Sequence, residues 1–330
     1  MPQPTRSEVH VNRPLTNISI AYIQRAEDFI ADKVFPIVPV MKQSDRYFQY
    51  TKDWWFRAGA AKRAPGTESA GGGFNIDNTP SYFCDVWAWH DDVDDQTRAN
   101  ADEPVDLDRD ATLFVTQVLL LRREIQWAQK FMATGIWQGY QPAGSPVDFQ
   151  PNTDGKGYWD ATNSNPMQDV DFLKKAVKSQ TGMLPNTLVV ADDVFFALRN
   201  NASVLDRIKY TQRGIVSEEL LAALFGVQKF LVASAVLNSA QEGQAFNGNF
   251  LVNNQALVVY ANPAPSILQP SGGYIFSWQG LFGAGAQGNR IKTFRMEQLE
   301  SDRIEGEMAF DMHLVGADLG VLCINVLSTP

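Results

Sequence analysis

The chain has 330 residues, with 28 Lys and Arg against 37 Asp and Glu, so it carries a formal charge of −9 at 45% apolar content. That balance excludes a protein that grips nucleic-acid phosphates by net charge, and the apolar fraction excludes a disordered chain. Two distant cysteines, Cys84 and Cys323, without CxxC spacing argue against a disulfide framework or a cysteine zinc site and for an intracellular origin, while the absence of an 18-residue apolar run and of an apolar leader core leads us to expect neither a membrane span nor secretion.

Residues 1–41 begin polar, then place Ile18, Tyr22, Ala26 and Phe29 at roughly helical spacing before the run Val34-Phe35-Pro36-Ile37-Val38-Pro39-Val40. Its two prolines forbid a helix and a central strand, so an extended arm that needs a covering surface is expected. Residues 42–57 turn aromatic and strand-like, with Trp54-Trp55-Phe56 near their end. The chain then passes through a basic stretch to Gly71-Gly72-Gly73 and returns through a second aromatic strand pattern at 82–90. The pattern predicts a long two-stranded excursion whose aromatics pack on something outside the local chain. Arg57 and Arg63 lie in the basic part, and Asp92 and Asp95 in the acidic segment 91–110 that follows. Two such surfaces are expected to meet, within one subunit or between neighbours.

Residues 106–133 predict an amphipathic helix roughly 42 Å long, with Phe114, Val118, Leu121, Ile125, Ala128 and Met132 as its inward stripe. A Pro/Gly/Asn-rich loop region at 138–165 precedes an alternating α/β stretch, in which Ser217 caps a helix and Gly182 and Gly226 stop two. Residues 290–296, 304–314 and 321–327 read as strands.

Chemistry-bearing motifs are scarce. Residues 283–288 spell GxGxxG, but the strand pattern that follows at 289–294 leaves them as a Gly-rich turn, against a dinucleotide-binding enzyme. His90 and the aspartates after it do not match an EF-hand loop, and neither HExxH nor GxSxG occurs around His10, His90 or His313. Glu305 and Glu307 read as exposed strand carboxylates. No catalytic, cofactor-binding or metal residue is assigned, and the residues expected to work are contact residues: Phe35, Ile37, Val38, Trp54, Trp55, Phe56, Arg57, Arg63, Asp92 and Asp95.

The order of parts resembles the HK97-fold major capsid proteins of tailed bacteriophages. Phrases carrying the likeness are DRYFQY at 45–50, YWD at 158–160, GMLPNTLVV at 182–190, SVLDRIKY at 203–210 and LLAALFGV at 220–227. The resemblance implies an α+β HK97-like capsid fold. Its parts would be an N-arm at 1–41, a long β-hairpin E-loop at 42–90, a P-domain at 91–165 and 289–318 with spine helix 106–133, and an α/β A-domain at 166–288 and 319–330. It further implies a non-catalytic major head protein that self-assembles as hexamers and pentamers into an icosahedral virion shell in the host cytoplasm. Double-stranded DNA would be a partner only by enclosure, with no cofactor and no membrane, beside a separate scaffold protein, a portal and a decoration protein. An encapsulin-like nanocompartment shell is the alternative within the same fold. Lys52 and Lys62 are candidate donors for the covalent cross-link of some members, yet residues 295–302 hold Gln298 and no Asn, so non-covalent contacts are expected.

Overall fold

The computed structural model describes residues 24–50, 52–101, 105–209, 216–265, 269–282 and 289–328, with Asp53, Trp54 and Phe282 as backbone only. Ile18, Tyr22, His10 and the GxGxxG run fall outside them. Chain order begins with one helical turn α1 (Ala31–Val34) and strand β1 (Ile37–Val40), then an excursion made of β2 (Ser44–Arg46), β3 (Gln49–Tyr50), α2 (Lys52–Trp55), β4 (Ile76–Asp77) and β5 (Ser81–Phe83). Strand β6 (Asp85–Asp94) and helices α3 (Asp95–Ala99) and α4 (Leu107–Phe131) follow. The next part holds α5 (Pro166–Thr181), β7 (Thr187–Ala191), α6 (Asp192–Asn200), α7 (Ala202–Ile208), α8 (Glu218–Phe225), β8 (Lys229–Ala233), β9 (Val236–Asn238), β10 (Gly248–Phe250) and β11 (Gln255–Val259). The chain closes with β12 (Gly273–Trp278), α9 (Gln279–Phe282), β13 (Asn289–Met296), β14 (Ser301–Leu314) and β15 (Gly320–Ile324).

Helix α4 starts where Asp106 accepts the Arg109 N–H at 3.2 Å, with Asp108 and Asp110 in its first turn and Lys130 in its last, charges that suit the helix dipole. Its buried face is Ala111, Val115, Leu119, Trp127 and Phe131, joined by the polar pair Arg123 and Glu124. The expected stripe is therefore rotated: Phe114 is 50% exposed and Leu113 also faces solvent. Both residue sets repeat at helical spacing, so periodicity alone could not choose between two adjacent apolar faces.

Two main sheets follow. In the first, the order is β1-β12-β14-β13, and β6 also pairs with β14. Strand β14 lies directly on α4 because Gly306 has no side chain: a Cβ there would stand 2.6 Å from Val115 and Leu119. Strand β12, buried along almost its whole length, was absent from the expected strands. GYIFSW has no alternation to flag it, and Gly273 is needed where the Phe131 ring passes. In the second sheet, order β15-β11-β7-β8, every residue of β7 is buried, and helix α5, whose buried face includes Val170, Leu173 and Val177, packs against β11 and β15. Asn165 caps α5 and Gly182 ends it at φ 73°. Ser217 caps α8 as expected and Gly226 closes it.

The apolar run after residue 33 corrects one expectation. Val34 and Phe35 are buried in the chain's own core, with Phe35 against Phe131 at 4.5 Å and Trp137 at 6.4 Å. Ile37 and Val38 sit in β1, which pairs in parallel with β12. Pro39 opposes Ser277 at the sheet edge, where a missing N–H is tolerated. The covering surface is the protein itself. The passage at 138–165 is likewise anchored, since Phe149 and Trp159 are fully buried and the Trp159 indole N–H donates to Asp169.

Candidate assembly surfaces

The excursion is a hairpin held by two short antiparallel pairings, β2 with β5 and β3 with β4. Its root is seated on the first sheet. Tyr82 stacks on Phe276 at 4.6 Å, Tyr47 lies 5.4 Å from the same ring, and the Gln49 amide donates to the Val315 carbonyl at 3.0 Å. His313 Nε2 stands 2.7 Å from Asp311, which also accepts the Phe83 N–H at 2.9 Å. Burial would raise the Asp311 carboxyl, but His313 and that N–H together hold it below its ordinary value. His313 thus belongs to the seat of the hairpin, and Lys52 pairs with Asp318 beside it.

Beyond the root the aromatics have little to cover them. Tyr50, Trp55 and Phe74 form a cluster with centroids 5.5 to 6.2 Å apart, yet Trp55 remains 59% and Phe56 66% exposed. Phe48, Phe74 and Ile76 are exposed as well. A monomer gains nothing from such a display in water, whereas an association surface does. Arg57 and Arg63 lie on the same exposed loop, and the Arg63 guanidinium donates to the Thr67 carbonyl. The side chain of Trp54 is outside the described residues.

The acidic segment is satisfied differently from expectation. Strand register places Arg303 opposite Asp92, and two hydrogen bonds of 2.7 Å join them. Arg295 pairs with Asp95 and Asp302, and Arg98 bridges Asp302 and Asp108 at 2.8 and 2.7 Å. Arg303 holds Asp92 below the usual carboxylate range, and Arg295 does the same for Asp95. Within the chain, Asp92 therefore meets Arg303 and Asp95 meets Arg295. Sequence reasoning missed this because the partners lie about two hundred residues away and only the sheet register brings them together. Further along the same strands Arg290 pairs with Glu307, and Lys292 with Glu305 and Glu307.

Phe35 offers no contact surface, being 1% exposed. Of the contact residues expected from sequence, Trp55, Phe56, Arg57 and Arg63 share one exposed loop, while Ile37 and Val38 are half-buried in β1. Apolar surface that the sequence did not flag lies on the first half of α4, at Leu113 and Phe114, and along the β13–β14 tongue at Ile291, Phe294 and Leu299. Among the described residues no group of three or more His, Cys, Asp or Glu side chains could hold a metal ion, and no helix is long and apolar enough to cross a membrane.

A long helix lying on a sheet that extends as a charged tongue, a seated hairpin with a bare aromatic end, and a separate α/β layer define the class: this is the HK97-type fold of phage capsid shell proteins. No protein-family model matches the chain. The chain is similar to the major capsid protein of Burkholderia phage BcepMu, with 24% identity over 320 residues covering 96% of each chain. Among solved structures, a phage-related protein from Bordetella bronchiseptica RB50 has TM-score 0.65 at 20% identity, covering 92% of this chain and 94% of that one. The capsid of cyanophage P-SCSP1u has TM-score 0.60 at 9% identity, covering 93% and 90%. The SrpI encapsulin of Synechococcus elongatus PCC 7942 has TM-score 0.53 at 12% identity, covering 96% and 95%.

Proposed function

We propose that this chain is a major capsid protein that self-assembles, as hexamers and pentamers, into an icosahedral phage shell enclosing double-stranded DNA. It acts by contact and performs no catalysis. The observation carrying this reading is the exposed aromatic end of the hairpin, Trp55, Phe56 and Phe74, on a capsid fold whose sequence relative BcepMu matches end to end. Burying those rings between subunits supplies the apolar core of an interface, with Arg57 and Arg63 at its polar rim. The net charge of −9 suits a container that confines a duplex without adhering to it.

The parts are assigned as an N-arm at 1–41, an E-loop at 42–90, a P-domain at 91–165 and 289–318, and an A-domain at 166–288 and 319–330. A separate scaffold protein, a portal and a decoration protein complete the proposed partners, with assembly in the host cytoplasm. Expression followed by negative-stain microscopy tests the reading. Closed shells are expected, and a monodisperse monomer under all assembly conditions, with scaffold present, overturns it. The encapsulin reading rests on the SrpI likeness, and particles purified from their native host that hold a protein cargo and no DNA would establish it in place of the viral one.

A further inference from the structure

Glu124 is a carboxylate in an unusual place. It sits on the inward face of α4 with 2% of its surface exposed, and its Oε2 accepts the backbone N–H groups of Ile30 and Ala31 at 3.0 and 2.9 Å. These are the amides at the start of α1, the point where the amino-terminal segment joins the body. The other oxygen, Oε1, is buried with no hydrogen-bond partner. The adjacent Arg123 reaches the same segment through Asp32 at 3.0 Å, and further contacts come from the second sheet side: Lys229 Nζ to the Lys33 carbonyl at 2.9 Å, and the Gln24 amide to both backbone groups of Val236 at 2.7 and 2.9 Å. Residues 24–35 are therefore strapped to the long helix at one point and to the first residues of β8 and β9 at others. Only the strap at Glu124 is a buried ionisable group with a bare oxygen.

A charge buried with one oxygen unsolvated is costly, and a neutral acid in the same seat costs less. The neutral form keeps Oε2 as acceptor for both N–H groups and carries its proton on the bare Oε1. We propose that Glu124 is a proton-linked clasp: it holds the root of the amino-terminal segment on the long helix most firmly when neutral, and docking of the root is accompanied by proton uptake. Burial is the main cause that raises this carboxyl from an ordinary 4.5 to about 7, opposed by the two N–H donors. The charged groups bearing on it are Arg123 of the same helix, which favours the carboxylate, and Asp32 of α1, which opposes it. The sign follows from linkage. The docked state binds the proton more tightly than the undocked one, so docking is strongest below the ordinary value, weakens as pH rises, and levels off above about 7.

Hydrogen–deuterium exchange of the Ile30 and Ala31 amides in the full chain reads the clasp directly. With rates corrected for intrinsic exchange and referred to the amides of β11, protection should fall on the order of tenfold between about pH 5.5 and about pH 8. Glu124→Gln should keep the protection and lose the pH dependence. Asp32→Asn, which removes the carboxylate opposing ionisation, should move the midpoint to lower pH. A flat profile in the unsubstituted protein, a slope retained in Glu124→Gln, or a midpoint unmoved by Asp32→Asn overturns the proposal. The readout is independent of shell formation, so it stands or falls apart from the capsid reading.

Discussion

Arg303 faces Asp92 across the β14–β6 pairing and grips both of its carboxylate oxygens, each at 2.7 Å. Neither side chain is more than about a fifth exposed, so the pair is only partly screened by solvent. It is one rung of the charge ladder along the tongue formed by β13, β14 and β6, near the turn at 297–300.

Arg303→Ala leaves Asp92 without that partner and should destabilise the chain by about 1–3 kcal/mol in urea unfolding. Because Arg303 depresses the Asp92 carboxyl below its ordinary 3.8, the stabilisation is present above that value and lost as pH falls through the folded one. The stability difference between the unsubstituted protein and Asp92→Asn should therefore shrink steadily between about pH 5 and about pH 2. A difference independent of pH over that range contradicts the assignment.

Gly306→Val should be among the more damaging single changes in the tongue. Any Cβ there meets Val115 and Leu119 at 2.6 Å, and overpacking of this kind costs about 1–3 kcal/mol. Leu119→Ala in the same background should recover part of the loss by making room. Two fully additive destabilisations would show that the two sites do not share that space.

Trp55→Ser and Phe56→Ser separate assembly from folding. Both rings are exposed, so each change should move monomer stability by no more than about 0.5 kcal/mol while suppressing shell formation. Chemical denaturation and sedimentation measured side by side decide it, and shells formed at the normal yield would remove the hairpin end from the interface.

The two thiols should be inert while the protein is folded. Cys84 and Cys323 are both buried, and burial pushes the Cys84 thiol up to about 12. Neither should react with an aromatic disulfide reagent at about pH 8 until denaturant is added. Rapid modification of either in the native protein would contradict its burial.

The long helix was legible in the chain because caps, first-turn acids and periodicity all agreed, and its ends fell within two residues of those expected. Its orientation was not, since Phe114 and Val115 are neighbours on a helix that has apolar residues on more than one face. The helix ends of the α/β layer were also readable at Ser217, Gly182 and Gly226, through local backbone hydrogen bonding that needs no tertiary context, whereas the Asn165 cap that starts α5 lay in the expected loop region. Strand β12 escaped because a strand buried on both faces does not alternate. Glu124 escaped for a different reason, as a lone acid in a helix reads as solvated until the segment it binds, some ninety residues earlier, is laid against it.

From the sequence alone came the acidic balance, the aromatic hairpin, the long capped helix and the order of parts that pointed to a capsid fold. These depend on composition and on contacts between near neighbours in the chain. Tertiary structure alone decided which face of α4 is buried, that Phe35 belongs to the core, and that Asp92 and Asp95 are matched by Arg303 and Arg295. Those outcomes depend on strand register and close approach between distant segments, where a shift of one residue would reverse every side chain in a strand, and no local pattern encodes such a choice.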